Sequence, residues 1–255
     1  AEKFKVSSLH AVWALGQLTR KGDRDASVLL LSAYFHCMYV DPGKVPNTSE
    51  WQYNEEDATG PRGGAATQET NQNGERRRCK KWCGHYKPDR CHHCCISERC
   101  VLRMDHYCPW VKNCIGFFNY KYFLLTLFYA VICTWFILAT TDPFRKNVES
   151  DTQFLLLFIE TLATLLAIVL TAFFGFHVHL VARNMTTIEF CETRKKNSDY
   201  NSKLYDLGMV ANFQSVLGDN PWLWLLPFAF CTKLSGDGLW FPNANSRAKL
   251  HVIKP

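Results

Sequence analysis

A chain of 255 residues could form one or two soluble domains, but its apolar residues, 47% of the total, are concentrated in long runs, which favours a membrane protein. The net charge of +6 arises from 29 basic and 23 acidic side chains, a mixture that does not by itself define a class of partner. Twelve cysteines would suit a secreted disulfide scaffold, yet eight lie between Cys79 and Cys114, interleaved with His92, His93 and His106. Such a mixture of thiols and imidazoles favours metal and thiol chemistry over disulfides.

Two short apolar runs, Val6 to Leu18 and Ala26 to Val40, open the chain and contain thirteen and fifteen residues. Each run is short for a membrane span. The polar residues Thr19 to Asp25 between them suit the turn of a helical hairpin, so we predict an N-terminal membrane hairpin over residues 1–40, with short or truncated helices. A cleaved signal peptide is not expected, because a charged stretch follows where a small-residue cleavage site should lie.

A helix-breaking motif, Asp41-Pro42-Gly43, follows the hairpin. The stretch from Asn47 to Gly74 is rich in Gly, Thr, Asn, Gln and acids, which is typical of a mobile linker. We therefore assign residues 41–78 to the D-P-G motif and this linker, and residues 79–118 to a compact Cys- and His-rich segment.

The segment over residues 79–118 contains more soft metal ligands than packing alone requires. They are Cys79, Cys83, His93, Cys94, Cys100 and Cys114. Thiolate and imidazole ligands in a tetrahedral arrangement suit Zn²⁺, and such an ion can fold a loop-rich segment that lacks a hydrophobic core of its own. The alternative is a set of unligated cytosolic thiols.

One cysteine of this segment has a different environment. Cys108 closes the tetrapeptide Asp105-His106-Tyr107-Cys108 and is followed by Pro109-Trp110, shortly before a long apolar run. His106 can accept the thiol proton, Asp105 can hold the imidazole in the required tautomer, and the thiolate can then attack an activated acyl group. Composition alone leaves a second interpretation open, in which all three are ordinary residues of the zinc segment.

Two long apolar runs follow. Tyr122 to Thr141 is twenty residues without a charge, which as a helix spans roughly 30 Å, about the hydrocarbon thickness of a bilayer. Phe154 to Val181 is longer and carries a single carboxylate. Since both lack a polar face, we predict membrane helices over 119–141 and 154–181, separated by a luminal loop over 142–153, rather than core helices of a soluble protein.

The distribution of basic residues orients the chain. Twelve Lys or Arg lie between Asp41 and Phe118, against two between Asp142 and Gln153. Cytosolic loops carry the excess of Lys and Arg, so the cysteine-rich segment is expected in the cytosol, although ten acids in this long segment weaken the rule. The predicted fold class is a mainly α integral-membrane protein with about four transmembrane helices and a cytosolic zinc-binding segment between helices 2 and 3.

The C-terminal region, residues 182–255, is also expected in the cytosol. Within it, Asn220 to Phe230 is too short to span a membrane. Trp222 and Trp224 suit a position at the bilayer surface. From composition, an element of a protein core is an equally good interpretation of this stretch.

Taken in order, these motifs resemble the DHHC-type protein S-acyltransferase, or palmitoyltransferase, family over nearly the full length of the chain. The family pattern of paired cysteines, K-P-x-R, H-C, a further cysteine and D-H-H-C-P-W-x-x-N-C is similar to Cys83, Lys87-Pro88-Asp89-Arg90, His93-Cys94, Cys100, Asp105 to Trp110 and Asn113-Cys114. Flanking motifs agree: Asp41-Pro42-Gly43 resembles the family's D-P-G, Thr186-Thr187-Ile188-Glu189 its T-T-x-E, and Tyr205 to Pro227 its C-terminal aromatic and Asn block.

The resemblance implies a four-helix membrane enzyme in which Cys108 takes a fatty acyl group from palmitoyl-CoA, or another long-chain acyl-CoA, and passes it to protein cysteines. The acyl chain would lie in a tunnel between the helices, where burial is worth about 0.8 kcal/mol per CH₂, and the CoA phosphates would lie among Lys and Arg. It also implies that Thr187 supports the catalytic Asp105, and that Trp110 and Asn212 are supporting residues.

The chain departs from the family pattern at a second zinc site. Tyr107 occupies the third D-H-H-C position, where the family has a zinc ligand, and Ser97 stands where the family has a cysteine. Cys94 and Cys114 therefore lack their expected partners and form at most a degraded site. We predict one zinc, bound by Cys79, Cys83, His93 and Cys100, the first pair being spaced one residue more widely than in the family. Cys91 or Cys95 is the alternative route to a second site.

Two other functions remain as alternatives. A non-catalytic membrane scaffold or complex subunit would retain the fold, whereas a zinc-finger nucleic-acid module would use the basic run from Arg76 to Lys81. The nucleic-acid module is disfavoured because a membrane span follows soon after Cys114. The expected partners are membrane lipids, acyl-CoA, cysteine-containing substrate proteins and an accessory subunit. The expected location is the endomembrane system, at the Golgi, the endoplasmic reticulum or the plasma membrane, with the active site facing the cytosol.

Overall fold

The computed structural model describes residues 21–53, 67–71, 74–81, 83–145, 150–195, 200–201, 203–228, 234 and 236–243. The chain divides into two compact units. The first consists of Ala1–Ala33 and Leu124–Phe176, and the second of Tyr34–Phe123 and His177–Pro255.

The described elements are mainly helical, with two small hairpins before the long helices. In chain order they are α1 (Lys21–Tyr39), β1 (His92–Cys94), β2 (Arg99–Val101), β3 (His106–Cys108), β4 (Asn113–Ile115), α2 (Tyr120–Arg145), α3 (Ser150–Ala182), α4 (Thr187–Thr193), α5 (Met209–Leu217) and a 3₁₀ helix (Pro221–Leu223).

Two of the described helices are long and apolar enough to cross a membrane. The qualifying stretches are Tyr120–Thr141 within α2 and Thr152–Ala182 within α3. Large apolar side chains such as Phe154, Phe158 and Leu165 are exposed along α3, which suits a lipid solvent rather than water. The predicted spans over 119–141 and 154–181 therefore coincide with α2 and α3.

The predicted luminal loop over 142–153 is shorter than expected. The α2 backbone remains helical to Arg145, and α3 begins at Ser150. Helical backbone thus covers both ends of the predicted loop, and residues 146–149 between them lie outside the described part of the chain. The polar sequence of residues 142–153 therefore did not indicate where α2 ends and α3 begins.

The N-terminal prediction is only partly testable. The run from Val6 to Leu18 lies outside the described residues, and the run from Ala26 to Val40 lies largely within α1. The predicted polar turn over Thr19 to Asp25 is wrong from Lys21 onward, because α1 already begins there. Charged residues are tolerated in a helix, and Asp in its first turn is favourable. The described residues therefore show two membrane-crossing candidates, not four.

Packed residues occupy parts of the stretch predicted as a mobile linker. The side chain of Trp51 is 2% exposed and belongs to the main core of the second unit. The backbone N–H groups of Gln68 and Glu69 donate to Asp89 Oδ1 at 2.8 and 3.0 Å. Residues 54–66 and 72–73 lie outside the description. In the described parts, the mobile-linker prediction is wrong because a buried aromatic and a bound carboxylate hold the backbone in place.

The second unit is built around the two hairpins. Strand β1 pairs antiparallel with β2, and β3 pairs antiparallel with β4. The motif Asp41-Pro42-Gly43 connects the two hairpins. Gly43 O accepts from Leu102 N, just after β2, and Pro42 O accepts from Phe118 N, which follows β4. Gly116 allows this close approach, because a Cβ there would lie 2.8 Å from the carbonyl oxygen of Pro42. The D-P-G motif therefore anchors the end of α1 to both hairpins.

Candidate active site

The residue pair His106 and Cys108 lies on strand β3. In the register of the hairpin, His106 is opposite Ile115 and Cys108 is opposite Asn113. Because alternate residues of a strand project to the same face, His106 and Cys108 share a face. The strand geometry therefore brings an imidazole and a thiol side by side from a spacing of two residues.

A buried carboxylate completes this arrangement. Asp105 is 1% exposed, and its Oδ2 lies 2.7 Å from His106 Nδ1. With the Nδ1 proton donated to Asp105, the opposite ring nitrogen is the one that can exchange a proton with the thiol. This is the acid–base–nucleophile order expected from the sequence.

The electrostatics favour a charged thiolate–imidazolium pair. Burial disfavours a charged His106, but the hydrogen bond and charge of Asp105, together with the contact to Cys108, outweigh it and raise the pKa of His106 to about 9. Burial also opposes the Cys108 thiolate, yet the hydrogen bond from His106 and the backbone N–H of Val111 lower the pKa of Cys108 below its ordinary value. Both shifts therefore favour a Cys108 thiolate beside a His106 imidazolium.

Thr187 hydrogen-bonds to Asp105, the carboxylate that in turn contacts the His106 imidazole. Its backbone N–H donates to Asp105 Oδ1 at 2.8 Å, and its Oγ1 donates to Asp105 Oδ2 at 2.7 Å. Although burial opposes the carboxylate, these bonds and His106 keep the pKa of Asp105 below its usual range. The structure thus places Thr187 where the sequence-based prediction put it, against Asp105.

Helix α4 presents Thr187 through its N-terminal cap. The Thr186 side chain accepts from Glu189 N, and Glu189 Oε2 accepts from Thr186 N at 2.9 Å, which together form a capping box. Arg90 grips the same carboxylate, donating from Nε to Glu189 Oε1 at 2.7 Å and from Nη2 to Glu189 Oε2 at 2.8 Å. The T-T-x-E motif is therefore both a helix start and one half of a buried ion pair.

This buried ion pair between Arg90 and Glu189 was not predicted from the sequence. Arg90 also donates to Asn184 Oδ1 at 3.0 Å, and Arg103 donates to the same oxygen at 2.8 Å. Asn184 adopts a positive φ of 49°, a conformation that Asn tolerates better than most residues. Two features of the sequence could have indicated the pair: the arginine of Lys87-Pro88-Asp89-Arg90 and the glutamate of Thr186-Thr187-Ile188-Glu189.

Aromatic and imidazole rings surround His106 on another side. The His106 ring lies 5.0 Å from the Phe123 ring and 5.9 Å from the His177 ring, between centroids. His177 Nδ1 lies 3.1 Å from the Tyr120 hydroxyl. Tyr120 and Phe123 come from the first turn of α2, and His177 comes from the end of α3. The contact of His177 with His106 was not predicted from the sequence.

The four predicted zinc ligands converge. Cys79, Cys83, His93 and Cys100 place their ligand atoms within 4.8 Å of one another. His93 and Cys100 are directly opposite each other in the β1–β2 hairpin. His93 Nδ1 lies 3.3 Å from Cys83 Sγ, 3.6 Å from Cys79 Sγ and 3.9 Å from Cys100 Sγ. Tetrahedral ligands at the usual Zn–S and Zn–N bond lengths lie about 3.6 Å apart, so the donor set fits a zinc ion.

Cys94 and Cys114 lie in an apolar cluster instead. Both are buried, at 3% and 0% exposure, and they pack with Val101 and Met104. Ser97 Oγ lies 3.3 Å from Cys114 Sγ, and Ser97 N donates to Cys94 Sγ at 3.4 Å. Among the residues described, only the first cluster gathers three or more metal-ligating side chains. In the described part of the chain, Cys94 and Cys114 thus contact Ser97 and apolar side chains.

The two alternative cysteines do not join Cys94 and Cys114. Cys91 is buried and interacts with Cys100, on the side of the first cluster. Cys95 is exposed. A rebuilt second site that uses either residue finds no support in these positions.

The remaining predicted supporting residues differ in environment. Asn212 is fully buried, and its amide donates to Ala182 O at 2.8 Å and to Asp206 Oδ1 at 2.7 Å. It thereby ties the start of α5 to the end of α3. Trp110 is 83% exposed. A buried supporting role for the Trp110 ring is therefore not what the structure shows, although its backbone carbonyl accepts a hydrogen bond from the Tyr34 hydroxyl.

Known proteins resemble this chain in sequence. The family model described as DHHC palmitoyltransferase matches residues 72–194. Palmitoyltransferase ZDHHC15 of Rattus norvegicus is 42% identical over 176 residues, which cover 67% of this chain and 51% of that protein. Palmitoyltransferase ZDHHC2 of Homo sapiens is 40% identical over 167 residues, covering 63% of this chain and 45% of the relative.

A plant protein is covered more fully. Probable protein S-acyltransferase 14 of Arabidopsis thaliana is 36% identical over 217 residues, which cover 78% of this chain and 68% of the relative. By contrast, the chain spans about half the length of the mammalian relatives that it matches.

Proposed function

Because the chain belongs to the DHHC palmitoyltransferase family, we propose that it is a protein S-acyltransferase in which Cys108 carries the acyl group. The observation that carries this proposal is the buried Asp105 carboxylate, bound by Thr187 on one side and by His106 on the other. Such a chain of contacts serves to orient and charge an imidazole beside a thiol.

In the first half-reaction, the Cys108 thiolate attacks the thioester carbonyl carbon of acyl-CoA. The tetrahedral intermediate collapses, the bond between the carbonyl carbon and the CoA sulfur breaks, and His106 gives its proton to the departing CoA thiolate. Cys108 then carries the acyl group as a new thioester, and His106 is neutral. Asp105 stabilises the imidazolium before this proton transfer and fixes the ring throughout.

In the second half-reaction, neutral His106 removes the proton from the thiol of a substrate cysteine. The resulting thiolate attacks the acyl-Cys108 carbonyl carbon, and the Cys108 thiolate leaves, again paired with protonated His106. This exchange of one thioester for another consumes no oxidant or reductant. Since the first half-reaction needs the His106 proton, acyl transfer should decline as the pH rises above about 9, the pKa of His106.

The metal cluster would support the site rather than react. A zinc ion held by Cys79, Cys83, His93 and Cys100 would supply a structural crosslink between the β1–β2 hairpin and the preceding segment. All four ligand positions would be filled by protein atoms, which is typical of a structural and not a catalytic site.

The two apolar helices and the palmitoyltransferase relatives indicate a membrane protein. We further propose that the site faces the cytosol of an endomembrane compartment, where acyl-CoA and membrane-associated substrate proteins meet. The basic segment before α2 supports this orientation. Long-chain acyl-CoA is the proposed donor, and membrane lipids and an accessory subunit are the proposed partners.

An acyl-enzyme labelling experiment tests the proposal. The purified chain is incubated with an alkynyl fatty acyl-CoA, and a hydroxylamine-sensitive label is measured. We expect Cys108→Ser to abolish the label and His106→Ala to reduce it severely, because the first loses the nucleophile and the second its acid and base. The exposed thiol variant Cys191→Ser is the matched control and should label normally. Persistent label on Cys108→Ser would refute the assignment.

The non-catalytic scaffold gains no support from the described residues. A scaffold would not need Asp105, His106 and Thr187 in hydrogen-bonded order. If the wild-type chain acquires no label under conditions in which its zinc is bound, the scaffold becomes the better interpretation.

A further inference from the structure

The loop that carries Cys108 is fastened to the end of helix α1 by two side chains. The hydroxyl of Tyr34, on α1, donates to Trp110 O at 2.9 Å. The amide of Asn113, on β4, donates to the carbonyls of Cys37, Met38 and Val40. These bonds join segments that are more than seventy residues apart in the chain.

Asn113 satisfies carbonyls that the helix itself cannot satisfy. The last four carbonyl groups of an α-helix have no intrahelical donor. The Asn113 Nδ2 group lies 3.2 Å from Cys37 O, 3.1 Å from Met38 O and 3.1 Å from Val40 O. An amide NH₂ has two hydrogens, so the three acceptors share two donors. The side chain therefore acts as a cap supplied by a distant strand.

A second side-chain amide near the end of α1, that of Asn119, makes its shorter hydrogen bonds elsewhere. Asn119 Nδ2 donates to Cys114 O at 2.8 Å and lies 3.4 Å from Cys37 O, while its Oδ1 accepts from Gly116 N. Its shorter bonds thus remain within the β4–α2 connection. Asn113 is the residue whose amide is fully committed to the end of α1.

The position of Asn113 in the hairpin ties this cap to the nucleophile. Cys108 is directly opposite Asn113 in the β3–β4 register, and residues directly opposite each other in an antiparallel pair project to the same face. The turn between them contains Lys112 at a positive φ of 50° and is closed by a long Lys112 N to Pro109 O bond of 3.4 Å. The contacts of Asn113 and Tyr34 with α1 add external bonds that help to fix the place of this turn.

Resting on the proposed acyltransferase function, we propose that Asn113, supported by Tyr34, is a positioning residue that sets Cys108 against the end of α1 for attack on acyl-CoA. In this proposal, Asn113 does not affect the ionisation of the Cys108 thiol. His106 and Cys108 lie on one strand, and Asp105 is bound by Thr187, so neither contact passes through Asn113. Loss of the cap should therefore displace the Cys108 sulfur without changing its ionisation.

The test compares Asn113→Leu and Tyr34→Phe with wild type and with Asn47→Leu, a matched change at an exposed asparagine. In Asn113→Leu, the new side chain has a similar size, cannot donate to the three carbonyl oxygens and adds no charge beside Cys108. The purified chain in detergent is mixed with a fluorescent long-chain acyl-CoA, and single-turnover acyl-enzyme formation is followed at saturating concentration. Bound zinc and the pH profile of Cys108 alkylation by iodoacetamide are measured on the same samples.

We expect Asn113→Leu to lower the single-turnover rate constant by about 10- to 100-fold, since a displacement of about 1 Å can cost that much. The amplitude, the zinc content and the alkylation midpoint should stay at wild-type values. Tyr34→Phe should show a smaller loss, roughly 3- to 10-fold, and Asn47→Leu none. A merely structural role would lower the amplitude or the zinc content and leave the rate constant of the folded fraction unchanged.

Three results would overturn the inference. A rate constant for Asn113→Leu within twofold of wild type shows that the cap does not position Cys108. A shifted alkylation midpoint shows that Asn113 acts on ionisation instead. If Asn113→Leu loses zinc or fails to fold, Tyr34→Phe decides, and a wild-type rate constant for that variant refutes the proposal. Absence of acyl-enzyme in the wild-type chain would instead contradict the proposed function itself.

Discussion

At the scale of single residues, the site depends on one buried carboxylate. Asp105 has hydrogen bonds to both of its oxygens, from Thr187 and His106, and is almost fully buried. A carboxylate that accepts several hydrogen bonds stays charged despite burial. Its charge raises the pKa of His106 to about 9, and the imidazolium in turn favours the Cys108 thiolate.

Replacement of this carboxylate should therefore change the pH dependence of the thiol. In Asp105→Asn, His106 loses the negative charge that raises its pKa, so the imidazolium becomes less populated. The Cys108 thiolate then loses its cationic partner, and its pKa rises. We expect the midpoint of Cys108 alkylation by iodoacetamide to move to higher pH, and acyl-enzyme formation at neutral pH to fall by about 100-fold or more.

Peptide mass spectrometry should follow Cys108 itself, because the exposed Cys95 and Cys191 will also react. The matched control is Asp219→Asn at an exposed position, for which the profile should not move. An unchanged midpoint in Asp105→Asn would show that the carboxylate does not govern the ionisation of the thiol.

At the scale of elements, a buried ion pair joins α4 to the segment before β1. Arg90 and Glu189 have side-chain exposures of 0% and 2%. Two hydrogen bonds connect them, and Arg90 also stacks over the Tyr205 ring, with its guanidinium carbon 4.5 Å from the ring centroid. The pair fixes the cap from which Thr187 reaches Asp105.

Breaking this pair on one side should be costly. Arg90→Met leaves the Glu189 charge buried without its partner, which destabilises the fold by about 3–5 kcal/mol. The control Arg99→Met removes the partly exposed bridge to Asp41, which is worth at most about 1 kcal/mol. Denaturant unfolding in detergent measures both changes. Equal destabilisation by the two variants would contradict the structural importance given to the Arg90–Glu189 pair.

The metal content tests a second element, the β1–β2 hairpin. We expect one zinc per chain by elemental analysis, lost in Cys83→Ser and retained in the exposed-thiol control Cys191→Ser. Removal of zinc by a chelator should lower the unfolding temperature, because the hairpin has only three residues per strand and depends on the crosslink. Two equivalents per chain would contradict the single-site prediction and direct attention back to Cys94 and Cys114.

At the scale of the whole molecule, the sequence predicted chemistry better than architecture. Sequence motifs pointed to Cys108 and His106 and to the four cysteine and histidine side chains that converge in the structure, because each prediction depends on a short stretch or on a repeated ligand type. Span prediction matched α2 and α3, since hydropathy over twenty residues is a local property. The packed parts of the predicted linker could not be foreseen, because Trp51 and Glu69 are held by residues far away in the chain.

Long-range side-chain bonds were missed for the same reason. The contacts of Arg90 with Glu189 and of Asn113 with the end of α1 connect residues separated by 99 and by more than 70 positions. No periodicity within one segment encodes such a contact. In each case the residue belongs to a motif that is visible in the sequence, but only the structure shows which group its side chain binds.

The central claim is that Cys108 carries the acyl group. Mass spectrometry of the purified chain after incubation with palmitoyl-CoA, followed by peptide mapping, tests it most directly. We predict one palmitoyl group, removable by hydroxylamine, on the peptide that contains Cys108. An unmodified Cys108 in a zinc-loaded chain, or a palmitoyl group on a different cysteine that persists in Cys108→Ser, would contradict the account.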